Sequence, residues 1–427
     1  MPSYRRILRQ PGALRFSSAA LIARFPMSML GISLILTVQA VYGSYSAAGA
    51  VSAAFVVAQA IGSPLLARQV DTRGQAAVMR PALAVSASAL VALIACLSTR
   101  APLPAVLVLA AVAGAFTGSM GSLARSRWTM ALDTPQDLHA AFSLEAALDE
   151  VAFVIGPPLA TALSTASALP AASGVVACAL LQTGGGAWLL SQRSTEPPAH
   201  PRTRRGRGRA RGGAPSGGGG VAPSGGGASR TPVLRHGAVL AVIAVFMLTG
   251  GLFGANDVAA VAVAKELGHP SAAGIVLAAW SVGSLSAALA FGARAWGWPL
   301  WKQLLAGVTG LAVGCSALPM MPGLVSIAVV MALTGMAIAP TVTIGNNIVQ
   351  VTVAASQLTE GLAWIGTALN MGVSLGSLVA GYAIDRTGSH GGYLLVAGFA
   401  WMGVLATIVG LPTLRSAKAR TDLEKHE

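Results

Sequence analysis

Residues 140–163 read AAFSLEAALDEVAFVIGPPLATAL, and the interpretation of this stretch determines the fold. It is apolar enough for a bilayer, yet it carries Glu145, Asp149, Glu150 and a Gly156-Pro157-Pro158 break. On a helix Glu145 and Asp149 stand four apart on one face, Gly156 falls near the same stripe, and Glu150 points about 100° away. A helix entering the membrane at Leu138 places Glu150 about 18 Å deep, past the middle of a hydrocarbon core of about 30 Å. An ionised acid at that depth is costly unless it is paired, faces water or takes a proton. These carboxylates therefore mark either a working site or an ion pair that locks packed helices.

The rest of the chain agrees with a membrane setting. Its 427 residues are 54% hydrophobic and only 10% charged, with a mean hydropathy of +0.68, which is outside the range of soluble globular proteins. The apolar bulk comes as long runs of Ala, Val, Leu and Gly, not the short alternating segments of an outer-membrane barrel, so the spans are helical. Cys96, Cys178 and Cys315 fall inside these runs without ligand spacing and read as packing residues. His139, His236, His269 and His390 are scattered at span ends, so no metal site is expected. No phosphate-binding loop of the Gly-x-x-x-x-Gly-Lys kind occurs, so neither ATP nor a cofactor is expected. No signal peptidase site follows the first apolar run, which is read as a retained span.

Windows of about 20 residues give twelve spans. The first six fall near 13–40, 47–67, 78–98, 104–126, 138–164 and 170–191, and the second six near 236–263, 271–293, 300–321, 323–349, 357–384 and 391–412. The expected organisation is an all-α polytopic protein with a six-helix bundle at 1–192, a disordered Gly/Arg-rich cytoplasmic linker at 193–235, a second six-helix bundle at 236–412 and a cytoplasmic tail at 413–427. The net charge of +14 serves topology and not nucleic acid. With both termini cytoplasmic, every Lys and Arg except Arg24, Arg100, Lys265 and Arg386 falls on the cytoplasmic side. The abundance of Ala and the excess of Arg over Lys suit a bacterial plasma (inner) membrane protein.

The two halves echo each other. Ser46-Ala-Ala-Gly49 opens span 2 and Ser271-Ala-Ala-Gly274 opens span 8, with Phe55 matched by Trp280. In spans 5 and 11, Glu150, Phe153, Gly156 and Ala160 correspond to Asn370, Val373, Gly376 and Ala380. Parallel repeats of this kind place a substrate site between the halves near the bilayer midplane.

Two motifs make the chain resemble the major facilitator superfamily (MFS), over nearly its whole length except linker and tail. The loop between spans 2 and 3 in that family reads Gly-x-x-x-Asp-Arg-x-Gly-Arg; residues 67–75 here keep Asp71 and Gly74, with Arg73 one place late. The resemblance implies that Asp71 caps the cytoplasmic end of span 11, near Ser356-Gln357, and latches the outward-facing state, with Arg73, Arg125 or Arg127 as its basic partner. The Gly156-Pro157 element of span 5 resembles the antiporter motif of proton-driven exporters, although Ala160-Thr161 replaces the trailing glycines. Gly permits close helix approach and Pro removes a backbone donor, so the span can bend there. The small-residue run Gly114, Gly118 and Gly121 allows close packing of span 4, and the family's basic residue in that span is approximated only by Arg125 and Arg127.

Arg24 interrupts span 1 too deep to snorkel and needs an anion. Because spans 1 and 5 pack together in the resembled fold, Asp149 or Glu150 is the expected partner, leaving one acid free to take a proton. In span 7 Asn256 and Asp257 form a polar pair, read either as a second titrating or substrate-binding site or as an outer-gate hydrogen bond. Asn346, Asn347, Asn370, Gln39 and Gln59 read as interhelical amides and Glu360 as a further acid of span 11; Trp280, Trp364 and Phe153 read as cavity walls or lipid-facing bulk. Asp385-Arg386-Thr387-Gly388, after span 11, reads as an outer turn.

The resulting expectation is a monomeric secondary transporter in a lipid bilayer, exporting a small amphipathic molecule in exchange for protons by alternating access. Inward symport of a small polar solute such as a sugar is the competing reading. A membrane-embedded enzyme would need a large extramembrane loop, and a receptor would show no substrate-dependent proton flux.

Overall fold

A computed structural model describes residues 6–198, 233–292, 297–353 and 358–423. All regular elements among them are helical. Spans 1, 2 and 3 are the helices Ala13–Tyr42, Tyr45–Arg73 and Gln75–Ser98, and span 4 consists of Leu103–Thr117 and Met120–Ala131. Spans 5 and 6 are Pro135–Thr165 and Ser173–Ser191; spans 7, 8 and 9 are Gly237–Glu266, Ala273–Gly292 and Leu300–Ala317. Span 10 consists of Leu324–Gly335 and Ile338–Thr352.

Eleven helical stretches are long and apolar enough to cross a membrane. The last, Gly361–Arg415, has 55 residues and would reach about 80 Å as one helix, well beyond a hydrocarbon core of about 30 Å. It is broken at Gly388, whose φ of 71° is left-handed. Dividing it there gives spans 11 and 12, and twelve crossings in all.

Two expected continuous spans are broken. Span 4 stops at Gly118, where φ is +65°, and Ser119 caps the continuation by accepting from Ser122 N. Span 10 is interrupted after Gly335. Span 2 starts as its residues dictate, with Ser44 Oγ accepting from Ala47 N at 3.1 Å, and ends at Gly74 (φ 90°). Thr134 caps span 5, where Arg6 also pairs with Asp137. The hydrogen bond from Arg6, reinforced by Thr134, holds the Asp137 carboxyl below its ordinary range.

Spans 1 and 7 are the most enclosed, each with 67% of its most apolar window buried. Span 1 packs on spans 5 and 6, span 7 on spans 11 and 12, span 2 on span 4, and span 8 on span 10. Contacts between the first six spans and the last six run chiefly between 2 and 11 and between 5 and 8.

Matched glycines set these contacts. A Cβ on Gly49 would lie 2.2 Å from the Ser377 carbonyl oxygen, and one on Gly274 would lie 2.3 Å from that of Pro157. Gly114 meets the Phe55 carbonyl at 2.2 Å, and Gly335 meets that of Trp280 at the same distance. The correspondence of Gly49 with Gly274 and of Phe55 with Trp280, read from the chain, thus extends to the surfaces they touch. Gly156 abuts Ser28 of span 1, while Gly376 abuts the Gly251 carbonyl of span 7 with 1.9 Å left for a Cβ. Gly376→Ala is therefore expected to force backbones apart and destabilise the protein by about 1–3 kcal/mol, read as a lowered midpoint in thermal unfolding of the purified protein. An unchanged midpoint would refute the close approach.

Candidate functional site

Span 5 carries its acids to two different environments. Its buried stripe runs through Ala141, Glu145, Ala152, Gly156 and Ala160, at the helical spacing expected of one face, and this face meets span 1. Arg24 of span 1 answers it. Arg24 Nη2 donates to Glu145 Oε2 at 2.6 Å and Nη1 to Asp149 Oδ1 at 2.8 Å, while Nε donates to the Ala20 carbonyl at 3.1 Å. The Arg24 side chain is 3% exposed and that of Glu145 0%, so the pair is desolvated.

Span 4 completes the cluster. Trp128 Nε1 donates to Glu145 Oε1 at 2.7 Å, and Ser17 Oγ to the same oxygen at 3.0 Å. Arg125 Nη2 donates to Asp149 Oδ2 at 2.8 Å. Phe16 meets the Trp128 ring edge-on at 4.7 Å, which fixes the indole. Two arginines face two carboxylates, so the cluster is neutral and its buried oxygens are bonded, the condition under which buried ions are tolerated. Gly121 lets the arginines through, because a Cβ there would lie 3.2 Å from Arg24 Cδ.

Of the two acids expected beside Arg24, Asp149 is there and Glu150 is not. Glu145 takes the second place because it shares the face of Asp149, which Glu150, about 100° round the helix, does not. Glu150 is partly buried and makes no ion pair or hydrogen bond among the described residues. It lies seven residues before Pro157, nearly on the same helix face, and Pro157 abuts Gly274 of span 8. Phe153, 37% exposed, shares that side of the helix. Glu150 is thus on the side of span 5 turned toward the last six spans.

In span 7 Asn256 is fully buried, and neither its amide nitrogen nor its oxygen has a hydrogen-bond partner. Asp257 beside it is partly buried and has no ion pair among the described residues. It lies at the edge of the stripe formed by Gly250 and Gly254, which meets span 11. Phe253 contacts the Trp280 ring edge-on at 5.7 Å, and Trp280 is 5% exposed. Trp280, expected as a wall or lipid-facing bulk, is instead wedged between spans 7 and 10 because Gly335 leaves space beside it. Asn370 is partly buried in span 11, and Trp364 is 40% exposed.

The expected gate residues are apart in this structure. Asp71 and Arg73 are exposed, and Gly74 forms the turn into span 3. Arg125 turns inward to Asp149. Arg127 is buried, donating to Gln75 Oε1 at 2.9 Å and to Thr195 Oγ1 at 2.8 Å. The first linker residues therefore lie under the first six spans as the turn Arg193–Thr195, and Glu196 caps span 3 by accepting from Ala76 N at 2.9 Å. The expected meeting of Asp71 with Ser356-Gln357 involves positions outside the described residues, as do most of the linker, the end of the tail and the side chains of Glu360 and His139.

Ser17 and Trp128 escaped the reading of the chain. A lone Trp at the end of a span gives no signal of its own, since interfacial Trp is common. The fixed positive φ at Gly118 re-aims the helix that carries it.

The comparisons agree with this architecture. A family model described as Major Facilitator Superfamily matches residues 16–298. Among curated proteins none matches the sequence. Solved structures do: the nucleoside transporter NupG shares 12% identity, with 94% of this chain and 98% of that one covered and a TM-score of 0.69. An auto-inhibited POT family peptide transporter shares 13%, covering 95% and 97%, with a TM-score of 0.68. A bacterial homologue of the iron transporter ferroportin in an inward-facing state shares 13%, covering 94% and 99%, with a TM-score of 0.66. At such identities the likeness is one of fold.

Proposed function

The chain belongs to the Major Facilitator Superfamily and is a membrane transporter, and from that premise we propose that it exports a small amphipathic molecule in exchange for protons. Glu150 is the proposed proton carrier. The observation that carries this reading is the division of labour in span 5: Glu145 and Asp149 are neutralised by Arg24 and Arg125, while Glu150, on the side that faces the last six spans, has no cation partner among the described residues. An acid so placed alternates between a charged form facing water and a neutral form facing apolar surroundings.

Two six-helix bundles, 1–192 and 236–412, rock about their shared contacts in this reading, with both termini and the 193–235 linker in the cytoplasm of a bacterial inner membrane. The matched glycine contacts support the bundles, and the distribution of Lys and Arg supports the orientation. On that orientation the contacts of Gly49 and Gly274 close the outer side, and the exposed Asp71 belongs to an open inner latch. Phe153 and Trp364 offer apolar surface, and Asn256, Asp257 and Asn370 offer polar anchors, to a cargo with both kinds of group. The protein acts as a monomer and needs no cofactor in this scheme.

Energised everted vesicles, loaded with a pH-sensitive dye and screened with cationic and neutral amphiphiles, test the proposal. The expected result is alkalinisation of the lumen on adding cargo. Acidification would instead establish symport. No proton movement with any cargo that is transported would refute both.

A further inference from the structure

Among the described residues, three hydrogen bonds from the start of span 2 to the last six spans converge on one carboxylate. Asp385, at the end of span 11, accepts from Tyr45 N at 2.7 Å through Oδ1, and from Ser46 N and Ser44 Oγ, both at 2.8 Å, through Oδ2. Tyr45 and Ser46 are the first residues of span 2, whose leading N–H groups have no partner within their own helix. The carboxylate of one half thus caps a helix of the other and meets the positive end of its dipole.

The local structure holds Asp385 in this role. Three residues later the helix breaks at Gly388, and Glu266 of span 7 captures the restart, accepting from Ser389 N at 2.7 Å and from Ser389 Oγ. Arg386, the nearest cation in sequence, stacks on the Tyr382 ring at 3.9 Å and not on Asp385. One turn deeper, Gly381 abuts the Tyr45 carbonyl and Gly49 abuts that of Ser377, so span 2 and span 11 are already in backbone contact where the cap forms.

We propose that Asp385 is a latch on the face where spans 2 and 8 begin, holding spans 2 and 11 together there and setting the balance between the two access states. The proposal rests on the alternating-access reading given above. A cap made across two moving bodies exists only while they are closed at that face, so its loss weakens that state alone. Capping groups of this type bias such a balance by about five- to tenfold. Both oxygens are used, so an amide, with one acceptor, retains part of the effect.

The test measures distances between spin labels at S98C and His269→Cys, both exposed positions on that face, in the full chain in liposomes with Cys96, Cys178 and Cys315 replaced by Ala. Asp385→Ala is expected to raise the long-distance population about five- to tenfold, Asp385→Asn to raise it less, and Ser44→Ala to add little once Asp385 is gone. Gly49→Val, which wedges the same contact open, is the reference for the open state. If Gly49→Val produces the long distance and Asp385→Ala leaves the distribution unchanged, the latch is refuted and alternating access stands. If neither variant produces it, the alternating-access reading falls, and the latch with it.

Discussion

Arg24→Leu is expected to lower the stability of the protein by about 3–5 kcal/mol, because removing one member of a buried charge cluster leaves its partner uncompensated. Asp149 would keep Arg125, whereas Glu145 would retain only the donors Ser17 and Trp128. An ionised carboxylate with 0% exposure has no water to turn to. The loss is largely cancelled when both charges go: Arg24→Leu combined with Glu145→Leu removes charge and countercharge together, which in buried pairs is close to neutral. Thermal unfolding of the single and double variants measures both quantities. A single variant as stable as the parent, or a double variant no better than the single, would show that the cluster does not hold spans 1, 4 and 5 together.

Glu150→Gln is expected to leave the fold intact and abolish coupling. Among the described residues Glu150 makes no salt bridge that the change could break, and the amide is nearly isosteric with the acid. One pH unit is worth about 1.4 kcal/mol per proton, enough to sustain about tenfold accumulation of cargo per proton exchanged. The variant should lose that accumulation and the associated proton flux while still exchanging cargo down its gradient. Asp149→Asn should behave differently, with stability lost first, because Asp149 binds two arginines. Gradient-driven accumulation in proteoliposomes by Glu150→Gln at the parent level would remove Glu150 from the mechanism.

Much of the architecture was legible in the chain. Hydropathy gave the spans, and the echo between Ser46-Ala-Ala-Gly49 and Ser271-Ala-Ala-Gly274 marked positions that make equivalent backbone contacts. Helical spacing also contained the answer to which acids meet Arg24: Glu145 and Asp149 lie on the Gly156 face, and Glu150 does not. Asp149 and Glu150 were both candidates because both lie deep in the span, and of the two only Asp149 shares the face turned to Arg24. The breaks in spans 4 and 10 were hidden because apolar composition continues through them; one is marked by the positive φ of Gly118 and the other by a tight turn in which Met336 N and Ala337 N bond to the Leu333 and Thr334 carbonyls. The role of Asp385 was out of reach for another reason. Asp-Arg-Thr-Gly has the composition of any turn, and its partners lie about 340 positions away, so nothing local distinguishes a bend from a cap on a distant helix.

The two halves solve the same joining problem with different forces. Where the first uses Glu145 and Asp149 against arginines, the corresponding positions of the second are Ile365 and Leu369, and spans 7 and 11 meet through Gly250, Gly251, Gly254, Gly372 and Gly376. Dehydrating ions becomes less costly on warming, while close van der Waals contact gains no such advantage. The ionic half should therefore keep its grip as temperature rises and the glycine half should loosen earlier, giving a chain whose halves echo each other in sequence an asymmetric response to heat.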